Sequence, residues 1–277
     1  EPVEPGVPSV LHPLPSDAPR NRLTFARWLV APENPLVGRV VMNQLWQAYF
    51  GRGLVTTPED FGTQGEKPTH PELLDWLATE FPRRGWSLKA MHRLIVTSDA
   101  YRRSSRATAE QIARDPQNVL LARGPRFRVG AETIRDIALA ASGLLNPRVG
   151  GPSVRPPQPE GVDSLAYGQE PWKADTGPDR YRRGLYTFLK RTAPYAAFAT
   201  MDAPTPEVAC VRRERSNTPL QALAMLNDVV FVEAARALGR RILDAPESSP
   251  EGRLDYAYLL VLGRPPREAE RSRVTAY

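Results

Sequence analysis

Residues 31–51, "APENPLVGRVVMNQLWQAYFG", carry the clearest structural signal in the chain. Apolar side chains recur at intervals of three and four residues through this stretch, which is the period of an amphipathic α-helix. Asn34 belongs to the residue types that cap helix N-termini, Pro35 suits the first helical position, and Gly51 suits the exit. The stretch therefore predicts a long helix with one buried face.

Similar patterns lie on both sides of this helix. In "THPELLDWLATEF", Thr69 stands three residues before Glu72, which is the spacing of a capping box and predicts a helix start. Ser87 is the predicted start of the next helix. Helical periods also run through residues 131–145, through 218–243 as one long helix, and through 253–277 as two helices.

The prolines mark the irregular parts of the chain. The 29 prolines are concentrated at residues 2–19, 147–178 and 194–219. Residues 146–180 show no sustained period and are predicted to form a long irregular Pro/Gly-rich insertion. The run "RRGLYTFLKRT" that follows fits a strand or a short helix equally well. We predict a mainly α, multi-helix globular domain over residues 20–277, with at most a small β element.

The N-terminal residues differ from the rest. They lack the charged and apolar regions of a signal peptide, and they lack an initiator Met. We therefore expect residues 1–19 to be a Pro-rich linker from an upstream domain. No run approaches the roughly 18 apolar residues of a membrane span. Cys210 is the single cysteine, which excludes an internal disulfide and a Cys-rich metal site.

The charge balance favours an anionic ligand over nucleic acid. The net charge is +6, and of the 37 basic residues 4 are lysines and 33 are arginines. A guanidinium binds carboxylate, sulfate or phosphate through two parallel hydrogen bonds. Coding composition is the alternative explanation for the arginine excess. Acidic residues are interleaved almost everywhere, so the basic stripe expected of a nucleic-acid-binding protein is absent from the sequence.

The loop before residue 71 holds the first candidate site. Asp60, Glu66 and His70 could act as a histidine base with an orienting carboxylate, or as a mixed metal site. Their spacing matches neither a zinc nor a calcium motif, so we predict no metal site. The alternative is that "GTQGEKPTHPE" merely connects two helices, because its glycines and prolines are the residues that a tight crossing needs.

The segment 198–223 holds the second candidate. Asp202 and Glu207 are carboxylates that could work with Asp60 or Glu66 in acid–base catalysis. Arg212, Arg213 and Arg215 lie just before a predicted helix start, and together they could form an anion pocket. The alternative is that these arginines tie the loop to carboxylates elsewhere in the chain through ion pairs.

A third candidate is the basic and aromatic run 172–191. Trp172, Arg182 and Arg183 could bind a sugar or an anionic glycan, because aromatic faces and guanidinium groups suit such ligands. The same composition also suits ordinary core packing.

The ordered motifs resemble those of one family. Residues 21–105, "NRLTF" to "RRSS", are similar to the opening of the planctomycete PSD-one family, a domain of unknown function (1553). The later blocks are "RFRVGAETIRDIALAASGLL", "GGPSV", "RRGLYTFLKRT", "MDAP", "RRERSNTPLQALAMLNDVVFVEAARAL" and "LLVLGRPPREAE".

The resemblance has several implications. Family members are usually the C-terminal part of large exported proteins, often with an upstream domain that carries c-type haem. An extracytoplasmic location and upstream domains of the same polypeptide as partners are therefore expected. The chain has no Cys-x-x-Cys-His motif, so no cofactor is expected in it. The family supplies no catalytic residues to carry over.

Three functional hypotheses follow. The first is a non-catalytic binding or docking module of a multidomain exported protein, which holds an acidic or sulfated polysaccharide at its arginine-rich loops. The second is a glycan-active hydrolase, whose signature would be two carboxylates about 5–10 Å apart across a cleft. The third is a structural domain that stabilises a neighbouring redox domain, with exposed apolar patches at the interface.

Overall fold

The computed structural model describes residues 4–162, 171–246 and 249–276. The chain divides into two compact units, Glu1–Phe127 and Arg128–Tyr277, and each is described by itself. Parts of the predicted linker and of the irregular insertion, residues 1–3 and 163–170, lie outside the described residues. The single domain over residues 20–277 stays a prediction.

In the described part of the N-terminal unit, the regular secondary structure is entirely helical, and irregular segments connect the helices. Its helices are α1 (Arg22–Leu29), α2 (Val37–Phe50), α3 (Pro71–Arg83), α4 (Leu88–Val96), α5 (Asp99–Arg102) and α6 (Ala109–Arg114). The α2 and α3 helices pack on each other and supply most of the core. The buried core side chains are Met42, Trp46, Phe50, Leu54, Val55, Leu74, Leu77, Phe81, Met91 and Ile95.

The predicted helix bounds of α2 are confirmed at its end and shifted at its start. Gly51 follows the last residue in the left-handed region, with φ of +79°. Asn34 accepts hydrogen bonds from the backbone N–H groups of Leu36 and Val37, so it closes a turn before the helix. The helix itself begins at Val37, two residues later than predicted, because that turn occupies Pro35 and Leu36.

The capping box predicted at Thr69 is wrong. The N-cap position of α3 is occupied by His70, whose side chain makes no capping hydrogen bond to the helix. The hydroxyl of Thr69 instead donates to the carbonyl of Leu54 (3.3 Å), and its backbone N–H donates to the same oxygen (2.8 Å). Thr69 therefore ties the loop before α3 to the loop after α2. Pro71 occupies the first helical turn, as predicted.

Residues 4–20 pack against α1. The indole N–H of Trp28 donates to the carbonyl of His12 (2.7 Å), and the imidazole of His12 stacks on the Trp28 ring at a centroid distance of 4.9 Å. Phe25 stacks on the same indole.

The C-terminal unit contains the remaining described helices. They are α7 (Ala131–Ser142), α8 (Ala196–Thr200), α9 (Pro219–Asn227), α10 (Val229–Leu243), α11 (Pro250–Leu262) and α12 (Glu268–Thr275). The α7 helix packs on α10. It ends three residues earlier than predicted, because Gly143 follows in the left-handed region with φ of +80°.

The single long helix predicted over residues 218–243 is wrong. Asp228 has an extended conformation (φ −63°, ψ 138°) and separates α9 from α10. Its carboxylate accepts a hydrogen bond from the N–H of Val230 (2.9 Å) and caps α10. An Asp in a helix interior competes for backbone donors in this way, so it starts a new helix more readily than it continues an old one.

The irregular insertion is hydrogen-bonded to the chain that follows it. Between α7 and α8, the described residues form only two short 3₁₀ turns and two isolated parallel bridges, Asn146 to Arg182 and Val154 to Thr187. The mainly α fold with at most a small β element is thus confirmed. None of the helices in the described ranges combines the length and apolar character that crossing a bilayer requires.

Candidate functional site

A cleft of about 350 Å³ lies in the N-terminal unit. Its walls are the C-terminal end of α2 with the loop that follows, the residues just before α3, and segment 116–127 after α6. The aromatic lining residues are Trp46, Phe50 and Phe127, and the basic ones are Arg52, His70, Arg123 and Arg126. Its volume is at the lower end of the range of about 300–1,000 Å³ for small-molecule sites.

The loop after α2 is held in place from inside the core. Asn43 is fully buried, and its amide donates to the carbonyl of Val55 (3.0 Å) and accepts from the N–H of the same residue (2.8 Å). This pairing fixes the backbone that carries Arg52 into the cleft wall. The ring of Phe127 lies against Gly51, where an added Cβ would be 2.7 Å from the ring. Gly51 is therefore needed for its φ angle and for this close approach.

The opposite wall is a loop closed by its own polar side chains. The carboxylate of Asp115 accepts from the N–H groups of Val119 (2.9 Å) and Leu120 (2.8 Å). The amide of Asn118 donates to the carbonyl of Arg123 (2.8 Å) and accepts from its N–H (3.2 Å). Burial raises the pKa of Asp115, but these two N–H groups and nearby arginines outweigh it and hold the pKa below its ordinary value. Asp115 therefore stays ionised, and its carboxylate stabilises the loop through these hydrogen bonds.

The three arginines differ in how they are held. Arg123 donates from Nη2 to the carbonyls of Asp115 and Pro116 (both 2.9 Å), and its Nη1 is buried without a hydrogen-bond partner in the described residues. Arg52 donates to the side chain of Gln117. Arg126 is exposed and makes no hydrogen bond or ion pair with the part of the chain that the structure describes. A buried donor without an acceptor costs free energy, which an incoming acceptor would recover.

The cleft is electropositive. Its lining contains three guanidinium groups and one imidazole, and no Asp or Glu is among the lining residues. Asp115, next to the lining, offsets part of this charge, because it lies within electrostatic range of Arg52 and Arg123. His70 is the N-cap residue of α3, and the backbone N–H groups at this helix end lack a side-chain cap. The N-terminal end of α3 therefore adds partial positive charge beside the cleft. Glu72 in the same turn is exposed and does not line the cleft.

The comparison with protein-family models gives one match. The family described as PSD1, protein of unknown function (DUF1553), matches residues 21–277. The chain belongs to this family. The resemblance that the ordered motifs indicated is thereby confirmed. No curated protein and no solved structure matched the chain.

In this DUF1553 member, the three residues of the first candidate site do not share the cleft. His70 lines it, but Asp60 and Glu66 do not. The carboxylate of Asp60 accepts from the N–H of Gly62 (2.7 Å), which closes the loop, and Glu66 is exposed. The imidazole of His70 pairs with the hydroxyl of Thr69 (3.0 Å) and with no carboxylate of the described residues. In the described residues, no group of three or more His, Cys, Asp or Glu side chains is arranged to hold a metal ion.

Asp202 is used to hold the chain that enters α9. Its carboxylate accepts from the N–H of Ser216 (2.7 Å), from the hydroxyl of Ser216 (2.8 Å), from the amide of Gln221 (3.1 Å), and from Arg128. The backbone N–H of Ser216 is the main cause of the lowered pKa of Asp202. A saturated carboxylate of low pKa is a poor general acid or base. Glu207 is exposed in the same segment.

Two members of the predicted arginine cluster have ion-pair partners within the chain. Arg213 makes a bidentate ion pair with Glu132 (2.6 and 3.1 Å) at the start of α7. Arg212 lies 3.8 Å from Glu214. Burial, together with the nearby charges of Arg128 and Arg213, lowers the pKa of Arg215, so these guanidinium groups lie close together.

The residues of the third candidate site, Trp172, Arg182 and Arg183, make internal contacts in the C-terminal unit. Arg182 is 1% exposed and donates to the carbonyls of Pro152 (3.0 Å), Arg148 (3.2 Å) and Gly150. It thus clamps the turn of the irregular insertion. The Arg182 guanidinium also lies 3.8 Å above the Tyr186 ring.

Its two other members have internal partners too. Arg183 pairs with Asp136 (3.4 Å) and is half-exposed. The indole of Trp172 donates to the carbonyl of Pro156 (2.7 Å) and stacks on Tyr195 at a centroid distance of 5.8 Å.

The cleft residues that the sequence analysis missed are Arg52, Arg123, Arg126 and Phe127. The available signal was the run 123–128, "RGPRFR", in which arginines alternate with Gly, Pro and Phe. Arg52 and this run are about 70 positions apart in the chain, and periodicity within either segment does not connect them.

Proposed function

We propose that this chain is a non-catalytic binding module of an exported multidomain protein, and that the cleft of its N-terminal unit holds an anionic ligand. The observation that carries the proposal is the lining of the cleft, which contains three arginines and a histidine but no carboxylate. A concave site with one sign of charge concentrates ligands of the opposite sign. The upstream domains of the same polypeptide and the extracytoplasmic setting rest on the family resemblance alone.

The chemistry of the lining supports an anion over a neutral ligand. A guanidinium offers paired donors that match carboxylate, sulfate and phosphate groups. Arg126 is exposed and unpaired in the described residues, so binding to it breaks no internal bond. The uncapped N-terminus of α3 adds partial positive charge at His70. Arg213 has a less favourable position, because a ligand there would compete with Glu132.

The same lining argues against a glycan hydrolase at this cleft. Such an enzyme needs two carboxyl groups about 5–10 Å apart, on either side of the bond to be broken. The cleft has no Asp or Glu in its lining, and His70 has no carboxylate to orient it among the described residues. Asp202 is saturated with donors in the C-terminal unit.

The test compares two variants that lose the same charge. Arg126→Gln removes a cleft arginine, and Arg106→Gln removes an exposed arginine of the same unit that does not line the cleft. Binding of polygalacturonate, dextran sulfate and neutral dextran is measured by titration calorimetry. We expect both polyanions to bind, dextran not to bind, and Arg126→Gln to weaken binding about tenfold, the loss of one charge-assisted hydrogen bond.

The control separates a site from general attraction to a basic surface. If Arg106→Gln weakens polyanion binding as much as Arg126→Gln does, the attraction is spread over the surface and the cleft is not the site. Binding at the cleft should also weaken as salt is raised, because rim charges are screened.

A further inference from the structure

From the hydrogen-bonding pattern of the cleft, and resting on the proposed function, we infer that its ligand is a single acidic sugar residue. In this arrangement the anionic group meets the arginines and a sugar hydroxyl donates to Nε2 of His70. Three features of the cleft point to such a ligand: the protonation pattern of His70, the complement of donors and acceptors, and the size and shape of the cleft.

The position of the proton on neutral His70 follows from Thr69. The Thr69 hydroxyl has one hydrogen, which it donates to the carbonyl of Leu54 (3.3 Å). We assign that hydrogen to the carbonyl, so the Thr69 hydroxyl oxygen, which lies 3.0 Å from Nδ1 of His70, accepts a hydrogen bond from this nitrogen. Nδ1 therefore carries the hydrogen, and Nε2 carries a lone pair. No hydrogen bond to Nε2 is made by the described residues.

The cleft thus offers clustered donors and one acceptor. An inorganic anion such as sulfate has only acceptors, so it satisfies the arginines and leaves Nε2 of His70 unpaired. A neutral sugar has hydroxyl donors for Nε2 but no charge for Arg126 and Arg52. A sugar that carries a carboxylate or a sulfate group satisfies both. A site that pairs with a ligand hydroxyl discriminates against analogues that lack it, because its polar group is then left without a partner.

The dimensions match one sugar ring. The cleft volume of about 350 Å³ is near the lower limit for small-molecule sites, so it holds one ring better than several. Phe127 is 38% exposed and lines the cleft. Its ring provides a flat apolar surface of the kind that packs against the C–H face of a sugar.

The test measures dissociation constants of small probes for the full 277-residue chain by ligand-observed NMR titration. The probes are galacturonate, galactose 6-sulfate, galactose and sodium sulfate. We expect at least one acidic sugar to bind tenfold or more tightly than both galactose and sulfate. The two acidic sugars distinguish a carboxylate from a sulfate ester as the anionic group.

Two variants test the role of the lone pair on His70. His70→Phe removes the acceptor, and His70→Gln restores one through its side-chain carbonyl. We expect His70→Phe to weaken acidic-sugar binding about tenfold while leaving sulfate binding unchanged, and His70→Gln to recover most of the loss. Circular dichroism melting curves check that both variants are folded.

The outcomes separate this inference from the proposed function. If sulfate binds as tightly as the acidic sugars, and His70→Phe has no selective effect, the inference is overturned while the anion-binding function stands. If no anion binds and Arg126→Gln does not alter polyanion binding, both fail together.

Discussion

Replacing Asn43 by Ala should destabilise the N-terminal unit strongly, although the residue touches no ligand. Asn43 is fully buried, and its amide satisfies both the N–H and the carbonyl of Val55, which is 3% exposed. The variant leaves two backbone polar groups in the core without partners. Each such group costs about 1–3 kcal/mol, so the expected loss is about 2–6 kcal/mol. That is a large part of the usual stability of a domain.

The assay is urea unfolding at 25 °C followed by tryptophan fluorescence. Of the five tryptophans, all except Trp172 lie in the N-terminal unit, so the signal reports mainly on this unit. Asn34→Ala is the matched control, because Asn34 also accepts from two backbone N–H groups, but in a partly exposed turn. We expect the control to lose about 1 kcal/mol or less, in the range of an exposed cap.

The two variants together decide the argument. If Asn43→Ala stays within about 1 kcal/mol of the unsubstituted chain, the claim that the Asn43–Val55 pair holds the cleft loop is refuted. A large loss in both variants would mean that burial is not what makes the difference. Because the loop carries Arg52, ligand binding should weaken in Asn43→Ala even at temperatures where it is folded.

Three further predictions concern contacts outside the cleft. Asp202→Asn should cost about 1–3 kcal/mol at pH 7, since it weakens the contacts that hold the start of α9. Because its donors lower the folded-state pKa of Asp202, this contribution is complete above the unfolded value of about 3.9 and is lost as the pH falls through the lowered value; a difference from the unsubstituted chain that does not shrink in urea titrations as the pH is lowered below the unfolded value would contradict this. For the half-exposed Glu132–Arg213 pair, a double-mutant cycle with Glu132→Gln and Arg213→Gln should give a coupling of only about 0.2–1 kcal/mol, and a value above 2 would be inconsistent with a solvated pair. Trp28→Phe should release residues 4–20, because it removes the hydrogen bond to His12; limited proteolysis should then cut this segment faster, and an unchanged rate would show that the indole N–H is not needed.

The periodic helices were predictable, and their ends less so. Ser87 caps α4 and Gly263 separates α11 from α12, as local residue types indicated. The errors came where a residue type fits two local structures. Thr69 has the hydroxyl that a capping box needs, but this hydroxyl donates a hydrogen bond to the carbonyl of Leu54 instead. Asp228 is compatible with a helix interior by pattern, yet it caps a new helix.

The candidate sites illustrate a second limit. Arginines were correctly singled out as the dominant charged type, but Arg182 and Arg213 have internal partners that lie about 30 to 80 positions away in the chain. The run that contains Arg126, "RGPRFR", does not show that Arg52 lines the same cleft or that the Arg126 guanidinium has no hydrogen bond or ion pair among the described residues. Whether a guanidinium is paired or available depends on which carboxylates and carbonyls the fold brings to it.

By itself, the sequence determined the helical class, the irregular segment between α7 and α8, and the family, because these depend on periodicity, proline content and ordered motifs within short stretches of chain. The tertiary structure decided which polar groups are satisfied internally and which line a cleft. It placed Arg52, Arg123 and Arg126 in the lining of one cleft. His70 lines the same cleft, but Asp60 and Glu66 do not, so they cannot act with it there as an acid–base pair. The reason is that hydrogen bonds and ion pairs act over a few ångströms in space, and folding sets those distances between residues far apart in sequence.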